Sequence, residues 1–429
     1  MILVGESSLE PVEALREARH RTMELLADLP DELLRVPLAE CINPPLWEFA
    51  HVAWFQEYWV LRRLFGEPPI DPSNDRLYDS AAVAHDARWT LPLLDRRGTV
   101  DYLERTLERV VDALRLRSSR ATAYFAALAT FHEDMHAEAL IYARQFLGYP
   151  APSFVGFERS VPAAGGALPG DTEIPGGEMV LGARPEDGFA FDNEKWGHPV
   201  SVDPFRIARA PVTNAEYRRF VDDGGYLRRE LWSDEGWAWR LSRDATHPTY
   251  WRRSDDGGWQ RRYFDRWVPV RDDEPVVHVC WHEAQAYCRW AGRRLPTERE
   301  WEFAASVTPE GEKRRYPWGN DEPTESRANL DRVFGDVVDV GAFPEGESPW
   351  GCRQMLGNVW EWTADAFGPY PGYLTDPYAE YSKPWFGTHK VLRGGAWTTR
   401  ARMIRATWRN FYLPHRTDVV AGFRTCAQG

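Results

Sequence analysis

His132 and His136 stand four residues apart in Thr130-Phe-His-Glu-Asp-Met-His-Ala-Glu138, a stretch that reads as helix. That spacing puts two imidazoles on one face about one turn apart, where they can share a metal ion. His51 lies in a second, aromatic-rich helical stretch, Trp47-Glu-Phe-Ala-His51-Val-Ala-Trp-Phe55. Two histidines from one helix and one from another can form a facial three-nitrogen site with open coordination positions, which means catalysis or ligand exchange rather than a structural staple. Other readings stay open at this point. Histidines at i, i+4 also occur on plain solvated faces, and His51 alone fits a hydrogen-bonded core residue. The surroundings favour the metal, because Phe131, Met135, Ala139 and Leu140 interleave with the pair. A buried imidazole needs a partner for each nitrogen.

The elements that must carry these residues are helical up to about residue 150. Apolar residues recur at three- and four-residue spacing over Val12–Ala27, Pro45–Phe65, Thr99–Arg117 and Arg120–Leu147, as in Val100, Leu103, Leu107, Val110, Val111 and Leu114. Four amphipathic helices predict a bundle, a common home for metal sites built from facing helices. The long irregular stretch Gly66–Arg97 between the second and third helix is of a length usually kept for function. Pro150–Gly170, rich in Pro, Gly and Ala, reads as a linker. The predicted organisation is therefore a bundle over 1–150, a linker over 151–170 and a second domain over 171–429.

In that second part helical periodicity largely disappears. Short runs such as Glu178–Gly182, Pro199–Asp203 and Val391–Gly395 alternate with Gly, Pro and Trp. Helices are predicted over Asn214–Asp222 and His282–Ala291, and Thr297-Glu-Arg-Glu300 has the form of a capping box. No internal repeat is visible, and the whole reads as one irregular α+β domain.

Composition sets bounds. A chain of 429 residues exceeds the usual single-core limit. A net charge of −13 argues against nucleic acid as partner. No apolar run approaches the ~20 residues needed to cross a bilayer, and the first residues carry no basic-then-apolar secretion pattern. Five scattered cysteines suit a reducing cytoplasm. With 14% aromatic residues, among them 21 tryptophans, the chain suits a cation-binding cage and a fold that packs on large side chains.

Six motifs in the second part carry a resemblance: Pro175-Gly-Gly-Glu-Met-Val180, Pro211-Val-Thr-Asn-Ala-Glu-Tyr217, Gly292-Arg-Arg-Leu-Pro-Thr-Glu298 with Trp301, Tyr316-Pro-Trp-Gly319, Gly357-Asn-Val-Trp-Glu-Trp362 and Arg393-Gly-Gly-Ala-Trp397. This part resembles the formylglycine-generating-enzyme (sulfatase-modifying factor) fold, which is C-type-lectin-like, and the histidine-bearing bundle resembles the DinB-like domain. In this order the two resemble the hercynine-dependent nonheme iron synthases, which comprise the ergothioneine-pathway sulfoxide synthases and the selenoneine synthases. The resemblance covers almost the entire chain. It implies a DinB-like four-helix bundle followed by an irregular formylglycine-generating-enzyme-like domain.

The resemblance also implies roles. His51, His132 and His136 match the three iron(II) ligands. Tyr378, in Tyr378-Ala-Glu-Tyr-Ser-Lys-Pro-Trp-Phe386, matches the tyrosine that delivers a proton to reduced oxygen. Without the resemblance it reads as a packing tyrosine in an irregular loop. Asn410, in Arg409-Asn-Phe-Tyr412, matches the asparagine that contacts hercynine, a trimethylated histidine, and Phe411 and Tyr412 shape the pocket of the sulfur or selenium donor. The implied reaction uses dioxygen to join that donor to the imidazole carbon between the ring nitrogens.

Two departures bear on the donor. Enzymes of the γ-glutamylcysteine class carry aspartate where this chain has Tyr412, and glutamine where it has Met135. Losing an acid and an amide weakens the fit to an amino-acid donor, whereas a tyrosine can stack on or hydrogen-bond to a sugar. Leu77–Trp89, Asn43-Pro-Pro-Leu-Trp47 and His132-Glu-Asp-Met-His136 resemble the selenoneine branch, which implies a selenosugar donor, although Arg88 could still bind a carboxylate. Two further classes remain open. A DinB-type zinc hydrolase or thiol transferase would use the same histidines without Tyr378, and the second domain could be a non-catalytic ligand-binding module. A formylglycine-generating oxidase is disfavoured, because its C-terminal cysteine pair has only Cys426 to match.

Overall fold

A computed structural model describes residues 11–117, 119–153 and 165–429. The chain falls into two compact units, Met1–Phe157 and Glu158–Gly429. Of the Pro150–Gly170 linker, residues 154–164 lie outside the described residues, as do the first ten.

In the first unit the long helices are α1 (Pro11–Ala27), α2 (Pro45–Gln56), α4 (Arg96–Leu116) and α5 (Arg120–Leu147), with a one-turn α3 (Asp75–Tyr78) inside the irregular stretch. α1 and α2 each pack on both α4 and α5. Leu15, Val60, Leu61, Val110, Leu114, Ala126 and Ala129 fill the space between them. Local signals fix the ends. Pro45 opens α2 at a position where a missing N–H costs nothing, Asp95 and Ser119 cap α4 and α5 by accepting backbone N–H bonds, and Gly148 closes α5 at φ 69°. Each side-chain cap contributes about 1 kcal/mol.

The predicted second helix, Pro45–Phe65, is continuous but not uniform, since its second half, Glu57–Leu64, widens to π-helical turns. Apolar spacing does not register that change. Every residue of α2 except Leu46 is buried, as expected of a helix apolar on all sides. Arg19 of α1, itself buried, donates to both carboxylate oxygens of Glu133 on α5 at 2.7 and 3.2 Å. Removing one partner of such a pair costs about 3–5 kcal/mol.

The second unit is irregular, as its sequence predicts. One four-stranded sheet orders Asp171–Ile174, Phe205–Ala208, Cys426–Ala427 and Arg293–Arg294; another orders Asn410–Tyr412, Lys390–Arg393, Trp360–Ala366 and Ala421–Gly422. A two-stranded ribbon (Gly177–Leu181 with His198–Val202) and a three-stranded sheet spanning 251–269 complete the strands among the described residues. Its helices are α6 (Asn214–Asp222), α7 (Asp234–Ser242), α8 (Trp281–Trp290) and α9 (Glu298–Ser306). α6 and α9 each begin on a capping box, Thr213 with Glu216 and Thr297 with Glu300. α7 shows no apolar period in the sequence, although Ser233 caps it by accepting the Gly236 N–H.

Long loops need substitutes for strand ladders, and the motifs supply them. Asn358, at φ 69°, accepts the Val338 N–H and donates back to the Val338 carbonyl, both at 3.0 Å. At Gly357 a Cβ would lie 2.6 Å from the Asn329 carbonyl oxygen, so only glycine fits there. Glu361, fully buried, accepts from Arg424 at 2.6 and 2.7 Å and from the Trp301 indole at 2.9 Å. Five cysteines are free, four of them buried. No helix among the described residues is long and apolar enough to cross a membrane.

Candidate metal centre and tyrosine-bearing loop

α2 and α5 bring His51, His132 and His136 together, with one ligand atom from each lying within 4.8 Å of the others. The Nε2 atoms of His132 and His136 are 3.1 Å apart. Nitrogens sharing one ion at ~2.1 Å each lie roughly 3 Å from one another, so small ring rotations complete a three-nitrogen set.

The rings are held from behind. His51 Nδ1 donates to the Tyr78 carbonyl at 2.7 Å, and the neighbouring Leu77 carbonyl accepts from the Trp47 indole at 2.7 Å. Both carbonyls end the short helix α3, where main-chain oxygens have no partner further along the helix. The irregular stretch thus supplies the group that fixes the His51 tautomer with Nε2 as acceptor. His136 Nδ1 donates to the Glu48 carboxylate, and Glu48 is also bonded by the Asn43 amide. His132 stacks on Phe55 at 3.5 Å, and His51 stacks on Trp47 at 4.7 Å.

Electrostatics agree with neutral, metal-ready imidazoles at His51 and His132. Burial, helped by the positive charge His136 would carry, pushes His51 down to about 3, and the same causes take His132 well below its ordinary value. Burial pushes the Glu48 carboxyl up, but His136 and its hydrogen bond more than offset this, so Glu48 stays ionised.

The obvious orienting acids in the sequence are Glu133 and Asp134, which flank His132 and His136. Glu133 is instead engaged by Arg19 and by Gln56 at 2.5 Å. The acid on His136 is Glu48, which the sequence reading missed; it stands three residues before His51 on the same helix, a spacing that could have flagged it. The Tyr78 carbonyl has no side-chain signature at all. Arg88 lies 3.9 Å over the Trp47 ring, with Nη1 donating to Asn43 Oδ1 at 2.6 Å. Met135 is half-buried on α5 next to His136.

In the second unit Tyr378 and Phe411 flank Tyr381, and Asn410 precedes Phe411 on its strand. The Tyr381 ring is 6.0 Å from Tyr378, meets Phe411 edge-on at 5.7 Å and stacks on Phe191 at 4.3 Å. Phe411 stacks on Phe367 at 4.0 Å. Asn410 and Tyr412 lie on the strand that pairs with Lys390–Arg393, with Leu392 opposite Asn410 and Lys390 opposite Tyr412. Asn410 Oδ1 accepts the Phe411 N–H at 2.8 Å, so its amide N–H groups are what it has to offer a ligand. The Arg416 guanidinium lies 5.1 Å from the Tyr412 ring and is held by Asp418.

The loop bearing Tyr378 has no strand or helix ladder of its own, and buried Asp192 anchors it. Asp192 accepts from Tyr373 at 2.6 Å on one side of Tyr378 and from Ser382 on the other. Asn193 donates to Ser382 at 3.0 Å, and Lys195 bonds Asp376 at 2.6 Å. Arg409 donates to the Asn193 carbonyl at 2.8 Å, so the same short segment also ties down the residue preceding Asn410. No sequence motif points to Asp192.

Residues 14–145 match the DinB superfamily and 157–428 the sulfatase-modifying factor enzyme 1-like domain. The chain is 39% identical over 429 residues to the hercynine oxygenase of Mycolicibacterium thermoresistibile, covering 96% of this chain and 93% of that protein. With the hercynine oxygenase of Mycobacterium tuberculosis it shares 38% identity over 426 residues, 96% of each chain. The formylglycine-generating enzyme of Streptomyces coelicolor is 31% identical over 60% of this chain and 88% of its own length. Among solved structures, PvdO from Pseudomonas aeruginosa aligns with a TM-score of 0.42 and 22% identity, covering 63% of this chain and 99% of that one.

Proposed function

The chain belongs to the hercynine oxygenase family and is an oxidoreductase, and from that premise we infer that it couples a thiol or selenol to hercynine using iron(II) and dioxygen. The observation that carries this reading is the convergence of three imidazoles, two of them with Nδ1 pinned to a carbonyl and a carboxylate. Such a neutral donor set fits iron(II), leaves the ion its positive charge and leaves positions open. Bound there, iron(II) would supply the redox centre for dioxygen and an anchor for an anionic thiolate or selenolate.

In the overall change the imidazole C–H and the donor S–H or Se–H are lost and a C–S or C–Se bond forms. One oxygen atom of dioxygen goes to the chalcogen and the other leaves as water, which balances the four electrons taken up by dioxygen. The protein's share is positioning and proton delivery. Tyr378 delivers a proton to the oxygen being reduced, a transfer that must be positioned rather than diffusive. Asn410 binds hercynine through its amide N–H groups. The substrate's trimethylammonium group asks for aromatic faces rather than hydrogen bonds, and the cluster of Phe191, Phe367, Tyr381 and Phe411 is of that kind. The residues assigned to the donor are Phe411 and Tyr412, with Arg88 and Met135. Tyr412 in place of an acid supports a selenosugar as donor, and the proposed reaction is then selenoneine formation. The alternative donor is cysteine or γ-glutamylcysteine, which would make it an ergothioneine-pathway sulfoxide synthase. A cytoplasmic setting suits the five free thiols.

The test is anaerobic reconstitution with iron(II), then admission of dioxygen with hercynine and each donor, with products identified by mass. A new C–S or C–Se product that needs iron, dioxygen and hercynine supports the reading. Turnover of a hydrolase substrate with zinc, and none with iron, would return the chain to the DinB-type zinc enzymes, since zinc also accepts three imidazoles.

A further inference from the structure

Arg88 is joined to two of the three histidines by separate routes. The first is a chain of hydrogen bonds. Arg88 Nη1 donates to Asn43 Oδ1 at 2.6 Å, the Asn43 amide nitrogen donates to one oxygen of Glu48, and His136 Nδ1 donates to the other. Chemistry fixes the direction of this chain. With the Asn43 amide turned over, its N–H groups would face the guanidinium and its oxygen would face the carboxylate, so both contacts would become repulsive. Arg88 therefore sets the amide that sets the carboxylate that sets the ring.

The second route is a stack. The Arg88 guanidinium lies 3.9 Å over the Trp47 ring, whose other neighbour is the His51 imidazole at 4.7 Å and 10° from parallel. The remaining end of Arg88 is fixed too, because Nη2 donates to the Val83 carbonyl at 3.3 Å and approaches that of Ser80 at 3.5 Å. Glu48 is only 4% exposed. A carboxylate so buried needs donors on both oxygens to remain charged and in place.

We propose that Arg88 is a positioning residue for the histidine cluster, acting on His136 through Asn43 and Glu48 and on His51 through Trp47. This rests on the reading of the three histidines as a metal centre. It gives Arg88 a role that is complete before any donor arrives, distinct from holding a donor carboxylate. It also explains why a planar, five-donor side chain stands there, since lysine could neither span the fork nor stack.

The test uses the full-length protein without substrates and cobalt(II) as probe, whose visible absorption reports ligand geometry. Arg88→Ala is expected to weaken cobalt binding about tenfold to a hundredfold, the range for losing a ligand's supporting partner, and to alter the spectrum. Asn43→Ala breaks only the hydrogen-bond route and is expected to give an intermediate loss. Adding Arg88→Ala to it should cost less than Arg88→Ala does alone. Arg88→Lys should not restore affinity. Wild-type affinity and spectrum in both Arg88→Ala and Asn43→Ala, or full rescue by lysine, would overturn the proposal while leaving the metal centre intact. If Arg88→Ala fails to fold, Asn43→Ala decides alone. Wild-type protein that takes up no cobalt at the histidines would overturn the metal reading itself.

Discussion

Glu48 accepts a hydrogen bond from His136 across 88 residues of sequence. That bond joins the helix carrying one candidate ligand to the helix carrying the other two. Glu48 stands three residues before His51, so the side chain that orients a ring on α5 grows from the helix that presents the third ring. The packing of α2 on α5 therefore brings the three rings together, and the irregular stretch between α2 and α4 completes their support through the Tyr78 carbonyl.

Replacing Glu48 by Gln keeps the shape and an acceptor oxygen but removes the charge. Iron(II) affinity is expected to fall by about tenfold to a hundredfold, with the protein still folded. Equilibrium dialysis at fixed free iron measures this, and an unchanged dissociation constant would show that Glu48 is only a packing acid.

Loss of a ligand is a harsher change. His51→Ala, His132→Ala and His136→Ala should each lose most bound iron and all turnover while keeping the helical circular dichroism of the wild type. Full iron content in His51→Ala would remove the cross-helix site.

How much of this was legible in the sequence follows from the range of each interaction. Helices with clear apolar periods and capping residues, such as Arg120–Leu147 and Asn214–Asp222, could be read to within a residue or so, because their signals are local. The three histidines stood out by type and spacing. Glu48, the Tyr78 carbonyl and Asp192 did not, since each acts on a partner distant in the chain and one of them is main chain. α7 stayed hidden because its Trp237 and Trp239 do not follow a helical period of burial.

Tyr378→Phe keeps the ring and removes only the hydroxyl. Hercynine binding should persist while coupling falls by at least about tenfold, the low side of what a positioned proton donor contributes. Oxidation of the donor itself is the side reaction to look for. Coupling at the wild-type rate would assign the proton to Tyr381 or to water.

Asp192→Ala removes the acceptor shared by Tyr373 and Ser382 on either side of Tyr378. The expected signature is a larger loss in kcat than in KM for hercynine, together with faster proteolysis within 373–382. Wild-type kinetics with an intact loop would show that the Lys195–Asp376 pair suffices to anchor it.

Stability should depend on pH through Glu283. Burial pushes its carboxyl up to about 7 from 4.5, even though the Tyr226 hydroxyl and the Cys280 N–H bond to it. The folded protein thus binds this proton more tightly than the unfolded chain. The favourable contribution is complete below about pH 4.5 and is lost as pH rises through 7, a change of about 3 kcal/mol. Glu283→Gln cannot ionise, so it should resist urea better than the wild type at pH 8 and show a flatter profile from pH 5 to 8. Parallel profiles for the two proteins would refute the assignment.

Donor choice is the finest part of the functional reading, and it turns on Tyr412. An amino-acid donor brings an ammonium group, and in a partly buried pocket that charge needs a counter-charge. Tyr412 offers a ring and a hydroxyl instead, with Arg416 lying 5.1 Å from the ring. Arg416, paired with Asp418, adds no counter-charge for an ammonium, and the ring with its hydroxyl suits a neutral sugar. The measurement is a competition among a selenosugar, cysteine and γ-glutamylcysteine at equal concentration with hercynine saturating. The selenosugar product should dominate, and Tyr412→Asp should move the balance toward the amino-acid donors by about tenfold, the order expected of one charge-assisted contact. A wild-type preference for γ-glutamylcysteine would instead assign the protein to sulfoxide formation, and an unmoved ratio in Tyr412→Asp would place donor recognition on other residues.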